Sequence, residues 1–75
     1  MNRTLSDLAP GEEGVIVSLG GGNGVQRRLR SLGFVEGGTV RKLSALAWGG
    51  PIVVRVNRAQ VAIGRGIARQ VWVRV

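Results

Sequence analysis

Residues 23–40, Asn-Gly-Val-Gln-Arg-Arg-Leu-Arg-Ser-Leu-Gly-Phe-Val-Glu-Gly-Gly-Thr-Val, constrain the fold of this chain more than any other stretch. They spell one short helix with a beginning, an apolar stripe and an end, followed by a turn into a strand. Asn23 is the expected N-cap, and Gln26 three residues on returns its hydrogen bond in a variant of the capping box. Val25, Leu29 and Leu32 fall at i, i+4 and i+7, one side of a 3.6-residue period. Gly33 supplies the left-handed residue that ends the helix, and Phe34 folds back toward Leu29 in a Schellman ending. Arg27, Arg28, Arg30 and Ser31 fill the opposite side. A helix with an apolar underside and a cationic top needs another layer to pack on.

The remainder of the chain supplies strands for that layer. Thirteen glycines and many valines, with one Phe and two Trp, favour short strands and tight turns over further helices. Thr4-Leu5-Ser6-Asp7 reads as one capped helical turn, and Pro10-Gly11 ends it. Residues 14–19 form a first strand, and the glycines at 20–22 lead into the helix. Residues 39–47 form a second strand in which Val40, Lys42 and Leu43 break the alternation, which predicts a bulge. Ile52, Val54 and Val56 alternate with more polar neighbours up to an Asn57-Arg58 turn, and residues 60–63 pair back. Residues 66–69 make a short turn, and residues 70–75 close the sheet with Val71, Val73 and Val75 inward. The expected core joins Val15, Val17, Leu29, Leu32, Val40, Val54, Val56, Ile63, Val71 and Val73. The fold class is all-β with one short helix, a small curled barrel in a single domain spanning residues 1–75.

Several function classes fall away on residue type. The chain has no Cys and no His, and its only carboxylates are Asp7, Glu12, Glu13 and Glu36. Acid–base catalysis draws on tuned histidines or paired carboxylates, and adjacent Glu12 and Glu13 point opposite ways along an extended segment. No enzyme activity, cofactor or small-molecule substrate is expected. The glycine run at 20–24 lacks the Lys-Ser/Thr of a phosphate loop and cannot hold a Gly-x-Gly-x-x-Gly pattern. Iron and zinc take imidazole, thiolate or carboxylate ligands, two of which are missing, so no metal site is expected within one chain. A metal bridging two copies, and self-association generally, are left open. No signal-peptide core follows Met1, and no apolar run approaches the ~20 residues needed to span a bilayer. A cytoplasmic module without membrane insertion is the expectation, consistent with the absence of cysteine.

The formal net charge of +7 in 75 residues calls for an anionic partner: nucleic acid, a membrane face or an acidic protein surface. Nucleic-acid readers interleave basic residues with exposed aromatics or present a recognition helix, and this helix is short for a groove. Of the two tryptophans, Trp72 lies on the opposite face of its strand from Val71 and Val73, outward or against the helix or N-terminal turn. Trp48 precedes Gly49-Gly50-Pro51 at a turn, where an exposed aromatic serves as an interface anchor.

The stretch Arg27-Arg28-Leu29, Leu32-Gly33-Phe34, Glu36-Gly37 and Val40 resembles the central pattern of the FeoA family, small cytoplasmic proteins of bacterial ferrous-iron uptake. Glu36 stands where that family usually has Pro. The likeness continues through Leu5 to Leu8 with Gly11, Gly14-Val15-Ile16, Gly49-Gly50-Pro51-Ile52, Val61-Ala62-Ile63, Ala68 and Val71-Trp72-Val73. It implies an SH3-like barrel with the helix packed on one open side. It also implies a regulatory binding role: docking on the cytosolic part of FeoB, the ferrous-iron transporter with a cytosolic GTP-binding domain. The expected contact surface is the helix top (Arg27, Arg28, Arg30), the following turn (Phe34, Val35, Glu36) and Trp48. The alternative is a small basic barrel that binds nucleic acid or acts in transcriptional regulation.

Overall fold

A computed structural model describes residues 2–45 and 49–75. Among them, strands β1 (Asn2–Thr4), β2 (Glu13–Leu19), β3 (Thr39–Ala45), β4 (Ile52–Val56), β5 (Ala59–Ile63) and β6 (Val71–Arg74) form one sheet. Their order is β1-β6-β2-β3-β4-β5, and every pairing is antiparallel. Helix α1 (Asn23–Ser31) bridges β2 and β3, a single helical turn α2 (Arg65–Ala68) bridges β5 and β6, and a 3-10 turn (Leu5–Asp7) follows β1.

The predicted helix is present, and its end follows the local code. Gly33 has φ +103°, its N–H donates to Arg30 O at 3.0 Å, and the Phe34 N–H donates to Leu29 O at 3.0 Å. These are the two reverse bonds of a Schellman ending. A Cβ on Gly33 would also lie 3.1 Å from Asn57 Cβ, so the helix end rests against the β4–β5 turn. Its beginning differs from expectation. Gly22 is the N-cap, without a side-chain capping bond, and the Gln26 amide donates to Leu19 O (3.1 Å) and Gly21 O (3.3 Å). Gln26 directs its donors to the loop carbonyls, so the capping box with Asn23 does not form.

Leu29, Phe34, Val40, Ile52, Val54, Val56, Val71 and Val73 are all buried in one cluster with Leu5 and Ile16, and Val25 and Leu32 pack against it. The phase of β2 is the reverse of the expected one. Gly14, Ile16 and Leu19 turn inward, while Val15 and Val17 are half-buried. Residue 14 faces Val73 so closely that a Cβ there would stand 3.1 Å from Val73 Cβ. The register skips between Ile16, opposite Val73, and Ser18, opposite Trp72, so a bulge at Val17 brings Leu19 back to the core side. The expected β3 irregularity is present between Lys42 and Ser44. Both bulges bend their strands and help the sheet curl over the core. Asn57 (φ 50°) and Arg58 (φ 65°) make the two-residue hairpin turn. Val75 follows the last strand residue and is 47% exposed, with its Cγ1 on the same side as Val73, 3.2 Å from where a Cβ on Gly14 would stand.

Strand β1 has no signature in the sequence. It exists as the partner of β6, with Thr4 opposite Trp72. The turn after it is locked in two ways. The Thr4 N–H and hydroxyl both donate to the Asp7 carboxylate, at 3.1 and 2.9 Å. Lys42, an inward residue of β3 that is only 3% exposed, donates from Nζ to Leu8 O (2.6 Å), Ser6 O (3.0 Å) and Leu5 O (3.4 Å). A buried ammonium with three carbonyl acceptors is satisfied where an unpartnered one would be costly. Burial, with a smaller contribution from the Arg65 charge, holds its pKa below the usual lysine value.

Candidate functional site

The basic top of α1 is solvent-facing, as its apolar period requires. Arg27 and Arg28 are exposed and have no carboxylate partner among the described residues. Arg30 differs. Its guanidinium grips the Glu36 carboxylate with Nη1–Oε1 at 2.9 Å and Nη2–Oε2 at 3.4 Å, tying the helix to the turn after it. Such fork-to-fork pairing is geometrically specific. The Arg30 hydrogen bond is the main reason that the Glu36 pKa lies below the usual glutamate value. Glu36 occupies the first central position of the turn 35–38, closed by the Gly38 N–H donating to Val35 O at 3.0 Å. That position suits proline because its φ is preset; glutamate here gives up the preset and gains an ion pair.

Of the residues expected to contact a partner, Arg27, Arg28, Arg30, Val35 and Glu36 are exposed. Val35 is 47% exposed and stands beside the Arg30–Glu36 pair. Phe34 is a correction: it is fully buried and unavailable to a partner, because the Schellman ending drives it under the helix onto Leu29. Trp48 lies outside the described residues. Trp72 is 41% exposed, opposite Thr4 on β1 and Ser18 on β2.

The structure adds a feature that linear reading missed. A cleft of about 580 Å³ opens beside the helix end, and Arg30, Arg41, Arg55 and Arg58 line it, with Glu13 the single lining carboxylate among the described residues. Arg41 and Arg55 sit directly opposite one another in the β3–β4 register. Glu13 is opposite Arg41 on the other side. Strand alternation places Arg41 and Arg55 outward once Val40, Lys42, Val54 and Val56 are inward, and the hairpin turn adds Arg58. Among the described residues only Arg30, of these four, has a carboxylate partner. The available signal was Arg41 and Arg55 at outward positions of two adjacent strands; without the register they are two unrelated cations.

The FeoA domain model matches residues 3–75, nearly the whole chain. The chain belongs to the FeoA family. A crystal structure of an iron uptake regulatory protein, FeoA, superposes with a TM-score of 0.89 at 36% identity, covering 99% of this chain and 96% of that one. FeoA of Stenotrophomonas maltophilia, solved with zinc, gives 0.83 at 33% identity over 96% of this chain and 89% of its own. That protein is described as a prokaryotic SH3 domain protein and a candidate activating factor of bacterial ferrous iron transport. A manganese-dependent transcriptional repressor contains a similar unit: TM-score 0.88, 25% identity, 96% of this chain but 40% of the repressor. No curated protein matches in sequence. The architecture is thus the SH3-like barrel of the FeoA family. Among the described residues no helix is long and apolar enough to cross a membrane, and no group of three or more Asp or Glu is placed to hold a metal ion.

Proposed function

We propose that this chain is a non-catalytic regulatory module of ferrous-iron transport, which docks in the cytoplasm on the cytosolic part of an FeoB-type transporter. Membership of the FeoA family is the observation that carries this reading. The chemistry of the surface supports it. Arg27 and Arg28 are exposed on the helix top, and exposed Val35 borders the Arg30–Glu36 pair. Arginine around an apolar contact is a frequent composition for protein interfaces. A module of this kind acts by differential affinity: binding one state of the transporter more tightly shifts the population toward that state.

A second reading, nucleic-acid binding or transcriptional control, draws on the likeness to the manganese-dependent repressor. Paired titrations of one preparation against the cytosolic region of FeoB and against mixed DNA and RNA, at low and physiological salt, separate the two. The docking reading expects FeoB binding with moderate salt dependence, since a Debye length of ~8 Å screens mainly exposed charge. It also expects weakening when Arg27 and Arg28 are changed to Glu. Nucleic-acid binding that survives physiological salt, with no detectable FeoB contact, overturns it, because phosphate-driven affinity should fall steeply as counterions are released.

A further inference from the structure

We propose that the arginine cleft is a receptor for an acidic polypeptide segment of the docking partner, an inference that rests on the docking reading above. Arg30, Arg41, Arg55 and Arg58 line the cleft together with Glu13, and Arg30 is already paired with Glu36. Arg41 and Arg55 are held in direct cross-strand opposition, an arrangement that costs stability when the charges are alike. Among the described residues neither they nor Arg58 have an internal carboxylate partner, although Glu13 stands directly opposite Arg41. Arg55 and Arg58 thus have no carboxylate beside them among the described residues, and Arg41 faces Arg55 on one side, so an incoming set of carboxylates supplies counter-charge that the fold does not. Arginine forks pair with carboxylates through two parallel N–H···O bonds.

An exposed apolar residue beside the arginines favours a polypeptide over other anions. Val35, 47% exposed, also lines the cleft, so an apolar side chain beside the acids has a surface to cover. An extended segment presents alternate carboxylates on one face about 6.6 Å apart, enough to engage more than one arginine. A single-stranded nucleic acid would want an aromatic stacking platform. No aromatic residue lines the cleft among the described residues, and Trp72 faces Thr4 and Ser18 on another part of the sheet.

The test uses a rhodamine-labelled heptapeptide, Glu-Ala-Glu-Leu-Glu-Ala-Glu, and its Gln counterpart, followed by fluorescence anisotropy at physiological ionic strength. The acidic peptide is expected to bind at least tenfold more tightly than the Gln peptide. Arg41→Gln with Arg55→Gln should weaken it at least tenfold, Arg58→Gln should weaken it alone, and Arg27→Gln with Arg28→Gln should change it less than twofold. Thermal melts should show the Arg41/Arg55 variant as stable as the wild type or more so, since a repulsion is removed. Three results overturn the proposal: equal binding of the two peptides or none, an equal loss in the helix-top variant, or displacement by a ten-residue oligothymidine at physiological salt. The same variants titrated against the cytosolic region of FeoB separate the two ideas. FeoB binding that ignores Arg41 and Arg55 overturns the cleft assignment and leaves docking standing. A cleft that takes the acidic peptide in a chain with no affinity for FeoB upholds the cleft chemistry and overturns docking.

Discussion

Replacing Lys42 by Met keeps the aliphatic stem of this buried side chain and deletes its ammonium. Three acceptors lose a donor: Leu8 O at 2.6 Å, Ser6 O at 3.0 Å and Leu5 O at 3.4 Å. Leu5 O also accepts the Leu8 N–H at 3.3 Å, so the loss falls mainly on Ser6 O and Leu8 O. An unsatisfied buried acceptor costs about 1–3 kcal/mol, so two cost about 2–6. Ser6 is half-buried and its carbonyl can recruit water, which brings the expectation to ~2–4 kcal/mol. The opposing effect is release of an ammonium from burial. Replacing both sides of a buried polar contact can be neutral, but removing one side strands the other, so the carbonyls should decide the sign. Urea denaturation at pH 7 measures the difference, and a loss of that size would lower the melting temperature by about ten degrees or more in a domain of ~75 residues. A Lys42→Met chain as stable as the wild type would refute the reasoning and show that desolvation outweighs the three bonds. The pH dependence gives a second readout. Lys42 is the only lysine, and the chain has no Tyr or Cys, so it alone among the side chains titrates between about pH 8 and 11. Its folded pKa lies below the ordinary lysine value of 10.5, so the unfolded chain binds more protons in that window. Wild-type stability should therefore rise with pH up to about 10.5, by no more than ~1.4 kcal/mol per pH unit, and the Lys42→Met variant should be flat.

Leu29→Ala should cost ~2–5 kcal/mol by urea denaturation, because Leu29 is fully buried beneath the helix; a loss below ~1 kcal/mol would show the helix to be loosely held. Gly33→Ala should cost ~1–3 kcal/mol, since φ +103° disfavours a Cβ that would also meet Asn57 at 3.1 Å; an unchanged melting temperature contradicts this. Asp7, through its hydrogen bonds from Thr4, and Glu36, through its bonds from Arg30, have pKa values below 3.8 and 4.5 respectively. Their stabilisation is present above those values and lost as pH falls through the folded ones, so acid melts should decline below about pH 4.5. Asp7→Asn should flatten part of that decline, and an unchanged acid profile counts against the Thr4 contacts. Calorimetric titration with Zn²⁺ or Fe²⁺ should find only weak binding, given a chain without His or Cys; a tight one-to-one site would refute this.

Elements whose signals lie within a few residues of one another were legible along the chain. The end of α1 needs only Leu29, Gly33 and Phe34, and the β4–β5 hairpin needs only alternation around Asn57-Arg58; both formed where expected. The β3 bulge was legible because Lys42 and Leu43 interrupt a local alternation. The Arg27 and Arg28 face was legible too, since a helix with one apolar stripe fixes what lies opposite. Whatever depends on which strand lies beside which waited for the folded sheet. Residues 15–17 are all apolar and either face of β2 reads equally well, until the folded sheet sets Gly14 beside Val73, where a Cβ would be held to a tight 3.1 Å. Residues 2–4 are a strand only because β6 offers free backbone groups. Phe34 reads as a turn residue open to a partner, but the bond of its amide to Leu29 O carries it into the core. Lys42 looks like a solvated cation until β3 delivers it under carbonyls more than thirty residues away in sequence. The cleft follows the same rule: Arg30, Arg41, Arg55 and Arg58 are scattered along the chain and become one cationic surface only through register. Short-range hydrogen bonds and periodicity can be read along a chain, whereas burial and charge clustering are sums over neighbours that only the folded sheet brings into place.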